Sequence, residues 1–119
     1  IIFTGYVSDE ALEEFYSNAY LFVLPSEIEG LPAVLLEAMS YGNCCLVSDI
    51  PENMEALNEF GFSFRNKDVD SLTGSLRHLL ENQGDVLKTK EAAKNYVLNT
   101  YTWDKIVDKI EDLYKELLR

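Results

Sequence analysis

Basic side chains are absent from the first half of this chain. No Lys or Arg occurs in residues 1–64, which carry eleven acidic residues, whereas residues 65–119 hold ten residues of each sign. The formal net charge of −11 therefore arises entirely before Arg65. Because binding to a nucleic-acid backbone depends on clustered cations, this distribution argues against nucleic acid as a partner. An anionic ligand of this half must be held by backbone dipoles or by cations from elsewhere.

Long apolar runs and a cysteine framework are also lacking. No apolar run approaches the roughly 18 residues that a membrane span needs. The two cysteines, Cys44 and Cys45, are adjacent, and in a strand they would point to opposite faces, where they could not chelate one metal ion together. We expect two buried thiols in a reducing compartment. His78 is the only histidine, and no motif places it beside Ser26, so a hydrolase triad is not indicated.

Short apolar runs alternate with helical patterns along the chain. Strands are predicted at residues 1–7 (IIFTGYV), 20–25 (YLFVLP), 44–48 (CCLVS) and 61–64 (GFSF), and helices at 8–19, from Pro32 to a Gly42 cap, at 70–82, about 85–98 and 102–118. Strands that are apolar throughout are typical of a parallel sheet covered on both faces. We therefore predict a Rossmann-like α/β fold. Four strands fall short of the usual six or so, so the domain is expected to be truncated at its N-terminus.

Three features of the second half have structural explanations. Asp68-Val69-Asp70 has the D-x-D form of some metal sites, but its place before a helix predicts a cap. His78 is predicted to be structural or exposed. The last helix carries an apolar stripe that indicates core or a domain-packing surface. Its members are Trp103, Ile106, Val107, Ile110, Leu113, Tyr114 and Leu117.

The stretch SEIEGLPAVLLEAMSYG, residues 26–42, holds two glutamates eight positions apart, Glu29 and Glu37. It follows a predicted strand, so its loop should lie at the carboxyl edge of the sheet, where α/β proteins bind ligands. The helix that begins near Pro32 points free amides and its positive dipole end into the same crevice, which suits a phosphate. Gly30 allows a ligand to approach the backbone closely.

The spacing of the two glutamates favours an extended ligand. A rise of about 1.5 Å per residue separates them by roughly 10 Å, too far for an acid/base pair. The separation fits a nucleotide sugar, with a carboxylate on the diol at each end and the diphosphate between them. Glu37 is also expected to be paired, because it lies within a largely apolar helix where an unpaired charge is costly. The alternative is that Glu29 serves the helix dipole and Glu37 faces solvent, with no ligand.

The same stretch resembles a known family. Residues 25–42 follow the pattern P-S-x-x-E-G-x-P-x-x-x-L-E-A-M-x-x-G, and the similarity continues through GFSF to the closing YTWDKI segment. The chain resembles the C-terminal, donor-nucleotide-binding domain of the retaining glycosyltransferases of GT-B fold, family 4, also called group 1. Cys44 and Glu52 depart from that pattern, which usually has Pro and Gly at these positions.

The resemblance implies a role for each matching position. Glu29 would be the catalytic residue that contacts the donor sugar near the reacting carbon, and Glu37 would bind the ribose diol. The loop around Tyr6 and Val7 would lie against the base. The diphosphate would be held by the backbone of Gly30, Leu31, Pro32, Ala33 and Val34.

The resemblance also implies the reaction and the partners. A sugar would pass from a UDP- or GDP-sugar to a glycan or lipid-linked acceptor with retention of configuration, and with no metal or other cofactor. The acceptor would bind through an N-terminal domain missing here, so residues 1–119 would be a partial domain that is inactive alone. We expect a cytoplasmic protein, peripheral at the inner face of the membrane only through that other domain, and self-association through an exposed sheet edge.

Two other interpretations stay open. One is a non-catalytic, truncated module that packs against a partner or binds only the nucleotide. The other is a sugar-nucleotide epimerase of similar fold, against which the register of Glu29 and Glu37 argues. The amino-acid sequence does not identify the base or the sugar of the donor, and it does not identify the acceptor.

Overall fold

The computed structural model describes residues 1–119 and contains a three-stranded parallel sheet with six helices. The strands lie in the order β1-β2-β3, so β2 is central. The elements, in chain order, are α1 (Asp9–Asn18), β1 (Leu21–Leu24), α2 (Ala33–Ser40), β2 (Cys44–Ser48), α3 (Pro51–Leu57), β3 (Phe62–Phe64), α4 (Val69–Glu81), α5 (Gln83–Thr100) and α6 (Trp103–Leu117).

Helices cover both faces of the sheet, as the apolar strands predicted. All five residues of β2 are buried, and the four apolar ones alternate between two core clusters. Cys45 and Val47 pack with residues of α2, α3 and α5, whereas Cys44 and Leu46 pack with residues of α4 and α5. The prediction that the two cysteines face opposite sides of the sheet is therefore confirmed.

Residues 1–7 form no strand, and the prediction of a first strand there is wrong. Ile1, Ile2 and Phe3 are almost fully exposed, and the segment pairs with nothing in the sheet. A strand exists only through hydrogen bonds to a neighbouring strand, so an apolar, β-branched sequence is not enough. Consequently β1 has β2 as its only neighbour, and its outer edge is unpaired.

Most of the remaining predictions are confirmed, with one helix missed. No helix is predicted between β2 and β3, yet Pro51 begins α3 at its first position, as proline commonly does. The helix α2 ends with the predicted glycine cap. Gly42 has φ +79°, and the amides of Gly42 and Asn43 donate to the carbonyls of Met39 and Ala38, as in a Schellman motif.

The apolar stripe of α6 is not core. No residue of α6 is buried, and Trp103 is 81% exposed. The prediction of a core helix is therefore wrong for this chain, while a domain-packing surface stays a prediction. None of the helices is both long and apolar enough to cross a membrane.

Candidate functional site

The loop between β1 and α2 lies at the carboxyl edge of the parallel sheet. Within it Glu29 is half-buried, and the Ser26 hydroxyl donates a hydrogen bond of 2.5 Å to its Oε1. A hydrogen bond to a carboxylate is among the stronger ones in proteins and holds the charged group in one orientation. The loop thus presents a carboxylate that is partly desolvated and already oriented.

The start of α2 offers free amide groups close to Glu29 in the chain. Pro32 is the N-cap residue and makes no side-chain capping bond. Of the five residues predicted to hold a diphosphate, Pro32 has no N–H, and the Ala33 amide already donates to the Leu31 carbonyl. The amides of Gly30, Leu31 and Val34 donate to no protein acceptor. These three N–H groups, with the helix dipole, form an anion-binding arrangement without a basic side chain.

Glu37 lies on the solvent side of α2, so the expectation of a carboxylate within apolar surroundings is wrong. The buried face of α2 consists of Leu35, Ala38 and Met39, which follow the helical spacing i, i+3, i+4. Glu37 falls between these positions and is exposed. Leu35, Ala38 and Met39 point into the core and away from Glu37, so burial among them does not demand a partner for its charge.

Glu37 nevertheless has a partner that the sequence did not indicate. The Tyr16 hydroxyl donates to its Oε2 at 3.3 Å. The Tyr16 ring is held by aromatic contacts to Phe22 and Tyr41, with ring centroids 5.9 and 5.4 Å apart. Burial, and then the nearby Glu37 charge, raise the pKa of Tyr16 above its ordinary value. The phenol therefore stays protonated and remains a hydrogen-bond donor to Glu37.

Tyr6 and Val7 line an open groove of about 590 Å³ beside α1. Tyr6 is 94% exposed. The groove is lined by neither Glu29 nor Glu37, but Tyr16 is part of its wall. The structure thus links the Tyr6 loop to Glu37 only through Tyr16.

A hydrogen-bond chain behind the Glu29 loop was missed by sequence reasoning. The Ser48 hydroxyl donates to the Ser26 carbonyl at 2.5 Å, and the Asn53 amide donates to the carbonyl and hydroxyl oxygens of Ser48 at 3.2 and 3.0 Å. One signal was present: Asn53, Ala56 and Leu57 share a helical face that is otherwise apolar. A polar residue on such a face needs a buried partner.

The basic side chains of Lys67 and Arg65, which follow β3, each form an ion pair with a carboxylate of this chain. Lys67 Nζ lies 3.0 Å from the carboxylate of Glu27 in the loop. Arg65 pairs with Asp68 at 2.9 Å.

Asp68 is also the cap of α4, because its side chain accepts a hydrogen bond from the Ser71 amide. The prediction that the D-x-D sequence caps this helix is therefore confirmed. His78, within the same helix, is exposed as expected.

Comparison with known proteins identifies relatives along most of the chain. Residues 1–96 match the family described as glycosyl transferases group 1. The UDP-Gal:alpha-D-GlcNAc-diphosphoundecaprenol alpha-1,3-galactosyltransferase of Escherichia coli is 38% identical over 100 residues, covering 82% of this chain and 26% of its own length. The O-antigen chain mannosyltransferase B of Escherichia coli is 30% identical over 119 residues, covering 98% of this chain and 30% of its own length.

A solved structure shares the fold. Sucrose-phosphate synthase from Thermosynechococcus elongatus superposes with a TM-score of 0.84 at 24% sequence identity, covering 98% of this chain and 30% of that chain. The parallel sheet with helices on both faces is thus the Rossmann-like domain of a GT-B fold. The chain spans between a quarter and a third of the length of these relatives.

Proposed function

The chain belongs to the group 1 glycosyl transferases, and we propose that it supplies the donor site of an enzyme that transfers a sugar from a UDP- or GDP-sugar. The observation that carries this proposal is the loop before α2. There an oriented carboxylate, Glu29, is followed within five residues by three amides without a protein acceptor. A hydroxyl-rich sugar and an anionic diphosphate have the chemistry that these two groups recognise.

Glu29 takes the catalytic position in this proposal. Its carboxylate accepts hydrogen bonds from sugar hydroxyls near the reacting carbon, which fixes the sugar for attack by the acceptor. The amides of Gly30, Leu31 and Val34 bind the diphosphate and stabilise the charge that develops on it as the sugar departs. With the departing phosphate as base, transfer proceeds with retention and without a metal.

Glu37 and the Tyr6 loop bind the nucleoside in this proposal. Glu37 is exposed and can accept bonds from a ribose diol without displacing buried groups, while Tyr16 holds one of its oxygens. Tyr6 and Val7 line the groove that Tyr16 also lines, and we assign the base to that groove.

The acceptor is a glycan or a lipid-linked sugar in this proposal. The relative named above as a galactosyltransferase acts on a diphosphoundecaprenol-linked sugar. Because the chain spans at most about a third of the relatives, acceptor binding is assigned to protein outside residues 1–119. Such an enzyme acts at the cytoplasmic side of the membrane, with the membrane contacts outside these residues. We expect the chain by itself to bind a donor without transferring sugar.

An amide-NMR titration tests this proposal. The chain is titrated with UDP, GDP, UDP-galactose, UDP-glucose and GDP-mannose. We expect shifts at Gly30, Leu31, Val34 and Glu37 with the nucleotides of one base. Glu29→Gln should lower the affinity for the sugar nucleotide more than the affinity for the nucleotide alone. Glu37→Ala should lower both affinities.

A matched control separates local from general charge effects. Glu116 lies on the exposed helix α6, outside the loop and the groove, so Glu116→Ala removes one negative charge without changing the proposed site and should leave every affinity unchanged. A well-dispersed spectrum that no nucleotide perturbs would contradict a donor site in this chain and favour a non-catalytic module. Turnover by the chain alone would contradict the assignment of acceptor binding to other residues.

A further inference from the structure

Two asparagines are completely buried, and their hydrogen bonds serve different purposes. The Asn43 amide donates to the carbonyls of Tyr16 and Ala38 at 2.8 and 3.0 Å, and so joins α1 to α2. The Asn53 amide instead donates to the carbonyl and hydroxyl oxygens of Ser48, and its Oδ1 has no partner within the protein. Asn43 thus joins two helices, whereas Asn53 joins α3 to the end of β2 and reaches a hydroxyl there.

Asn53 begins a chain of hydrogen bonds that ends at Glu29. It donates to the Ser48 hydroxyl, which donates to the Ser26 carbonyl, while the Ser26 hydroxyl donates to Glu29 Oε1. Because the Asn53 N–H occupies a lone pair of the Ser48 oxygen, the Ser48 proton is directed outward to the loop. The two bonds that meet at the Ser48 hydroxyl polarise one another in a low dielectric, and the link from the Ser26 carbonyl to the Ser26 hydroxyl is the residue itself. The chain thus runs from α3 through the end of β2 to the carboxylate.

Stability alone does not explain Asn53. The side chain lies on the buried face of α3 with Ala56 and Leu57. Its amide pairs with the Ser48 oxygens, but its Oδ1 has no hydrogen-bond partner in the protein. A buried acceptor without a partner is destabilising, and such departures from simple packing rules are expected where function requires a polar group. The only functional group to which Asn53 is connected is the Glu29 loop.

We propose that Asn53 and Ser48 are positioning residues that hold the Ser26 loop and aim the Glu29 carboxylate at the donor sugar. The proposal rests on the proposed function for the identity of that ligand. It does not rest on it for the loop itself, because the hydrogen bonds join only residues of this chain.

The first test measures the loop without any ligand. Ser48→Ala removes the hydroxyl from β2, and Ser63→Ala, an exposed serine of β3, is the matched control. We expect Ser48→Ala to shift the amide signals of residues 26–30 and to lower their backbone order parameters, while Ser63→Ala leaves them unchanged. A loop with unchanged shifts and order parameters in Ser48→Ala would overturn the proposal.

A second pair of variants separates positioning from general destabilisation. Asn43→Ala and Asn53→Ala each remove a buried amide, so both should lower the midpoint of urea unfolding. At urea concentrations below that midpoint, only Asn53→Ala should change the amide shifts and order parameters of residues 26–30. If Asn43→Ala disturbs the loop equally, the effect is one of stability and the positioning role is refuted.

The donor titration then tests the consequence for binding. In the proposed function Glu29 contacts the sugar. Ser48→Ala should therefore lower the affinity for UDP-galactose or GDP-mannose, whichever the wild type binds, about tenfold. The affinity for the matching nucleoside diphosphate should fall less than about twofold. Equal losses for both, or none, would overturn the proposal. If the wild-type chain binds no sugar nucleotide, the proposed function fails instead, and the ligand-free loop measurements still decide whether Asn53 and Ser48 position Glu29.

Discussion

At the scale of single residues, burial decides the chemistry of the two thiols. Cys44 and Cys45 are fully buried on opposite faces of β2. Burial raises the pKa of Cys44 to about 11 and raises that of Cys45 still further. Since the thiolate is the reactive form, neither residue is suited to act as a nucleophile or metal ligand at neutral pH.

We expect neither thiol to react with a disulfide reagent at pH 7.5 in the folded chain, and both to react after unfolding in urea. Both folded pKa values are raised, so the thiols contribute fully to stability below the ordinary thiol pKa, about 8.5. That contribution declines as the pH rises from there through about 11. Reagent kinetics and urea midpoints at pH 7 and 10 check these expectations. A cysteine thiol that reacts rapidly in the folded chain would contradict these expectations.

Tyr16 shows how one buried phenol can serve an exposed carboxylate. Tyr16→Phe removes the bond to Glu37 but keeps the ring against Phe22 and Tyr41. We expect the free energy of unfolding to fall by only about 0.5–1.5 kcal/mol, because the packing survives. Nucleotide affinity, measured by calorimetric titration, should fall several-fold through the loss of an oriented Glu37. An unchanged affinity would mean that Glu37 needs no positioning by Tyr16.

At the scale of elements, helix ends follow local rules. Asp68 caps α4 through the Ser71 amide, and that bond is the main reason why the pKa of Asp68 is lowered, with Arg65 a smaller cause. Such ends need only residues within one turn, so they could be anticipated from the sequence.

Asp68→Ala should destabilise the chain at pH 7, with the difference from wild type disappearing in acid. The folded pKa is depressed, so this stabilisation is complete above the ordinary carboxyl pKa, about 3.9. It is lost as the pH falls through the lower, folded pKa. Urea midpoints of both proteins across pH 2.5–7 measure the difference. Asp70→Ala, in the same turn without the cap bond, is the control. A difference that persists at the lowest pH would contradict the cap.

Helices α4 and α6 differ in how their apolar faces are used. Leu79 of α4 is fully buried, whereas Ile110 of α6 is 48% exposed. We expect Leu79→Ala to lower the free energy of unfolding by about 2–5 kcal/mol, and Ile110→Ala by no more than about 0.5 kcal/mol. Urea denaturation measures both. A large loss at Ile110 would show that α6 packs against the domain in solution.

At the scale of the whole molecule, the chain is extended for its size. Its radius of gyration is 16.2 Å, with extents of 54 × 32 × 30 Å, whereas a compact domain of this length has about 13.5 Å. The exposed α6, the unpaired residues 1–7 and the open edge of β1 leave apolar and hydrogen-bonding surface uncovered.

We expect a monomer with a radius of gyration near 16 Å at low concentration and low salt, and association as the concentration rises. The charge of −11 opposes association, so added salt should promote it by screening. Small-angle scattering and sedimentation across a concentration and salt series measure both effects. A chain that stays monomeric at all conditions would refute self-association through the edge of β1.

Features that depend on near neighbours along the chain could be predicted from the amino-acid sequence. The buried strand β2, the glycine cap at Gly42, the Asp68 cap and the motif loop from Ser26 all follow from residues within a few positions. Their periods and caps are set by backbone geometry, which needs no knowledge of distant packing. The helix α3 has a local signal of the same kind, since Pro51 occupies its first position.

Features that depend on residues distant in sequence could be seen only in the folded chain. Residues 1–7 read as a strand, but no neighbouring strand pairs with them. Glu37 and the stripe of α6 are exposed because of what does and does not pack beside them. Asn53 reaches Glu29 through Ser48 and Ser26, across 27 positions of sequence between Asn53 and Ser26. Burial and hydrogen bonding between separate elements depend on three-dimensional packing, which a linear pattern does not specify.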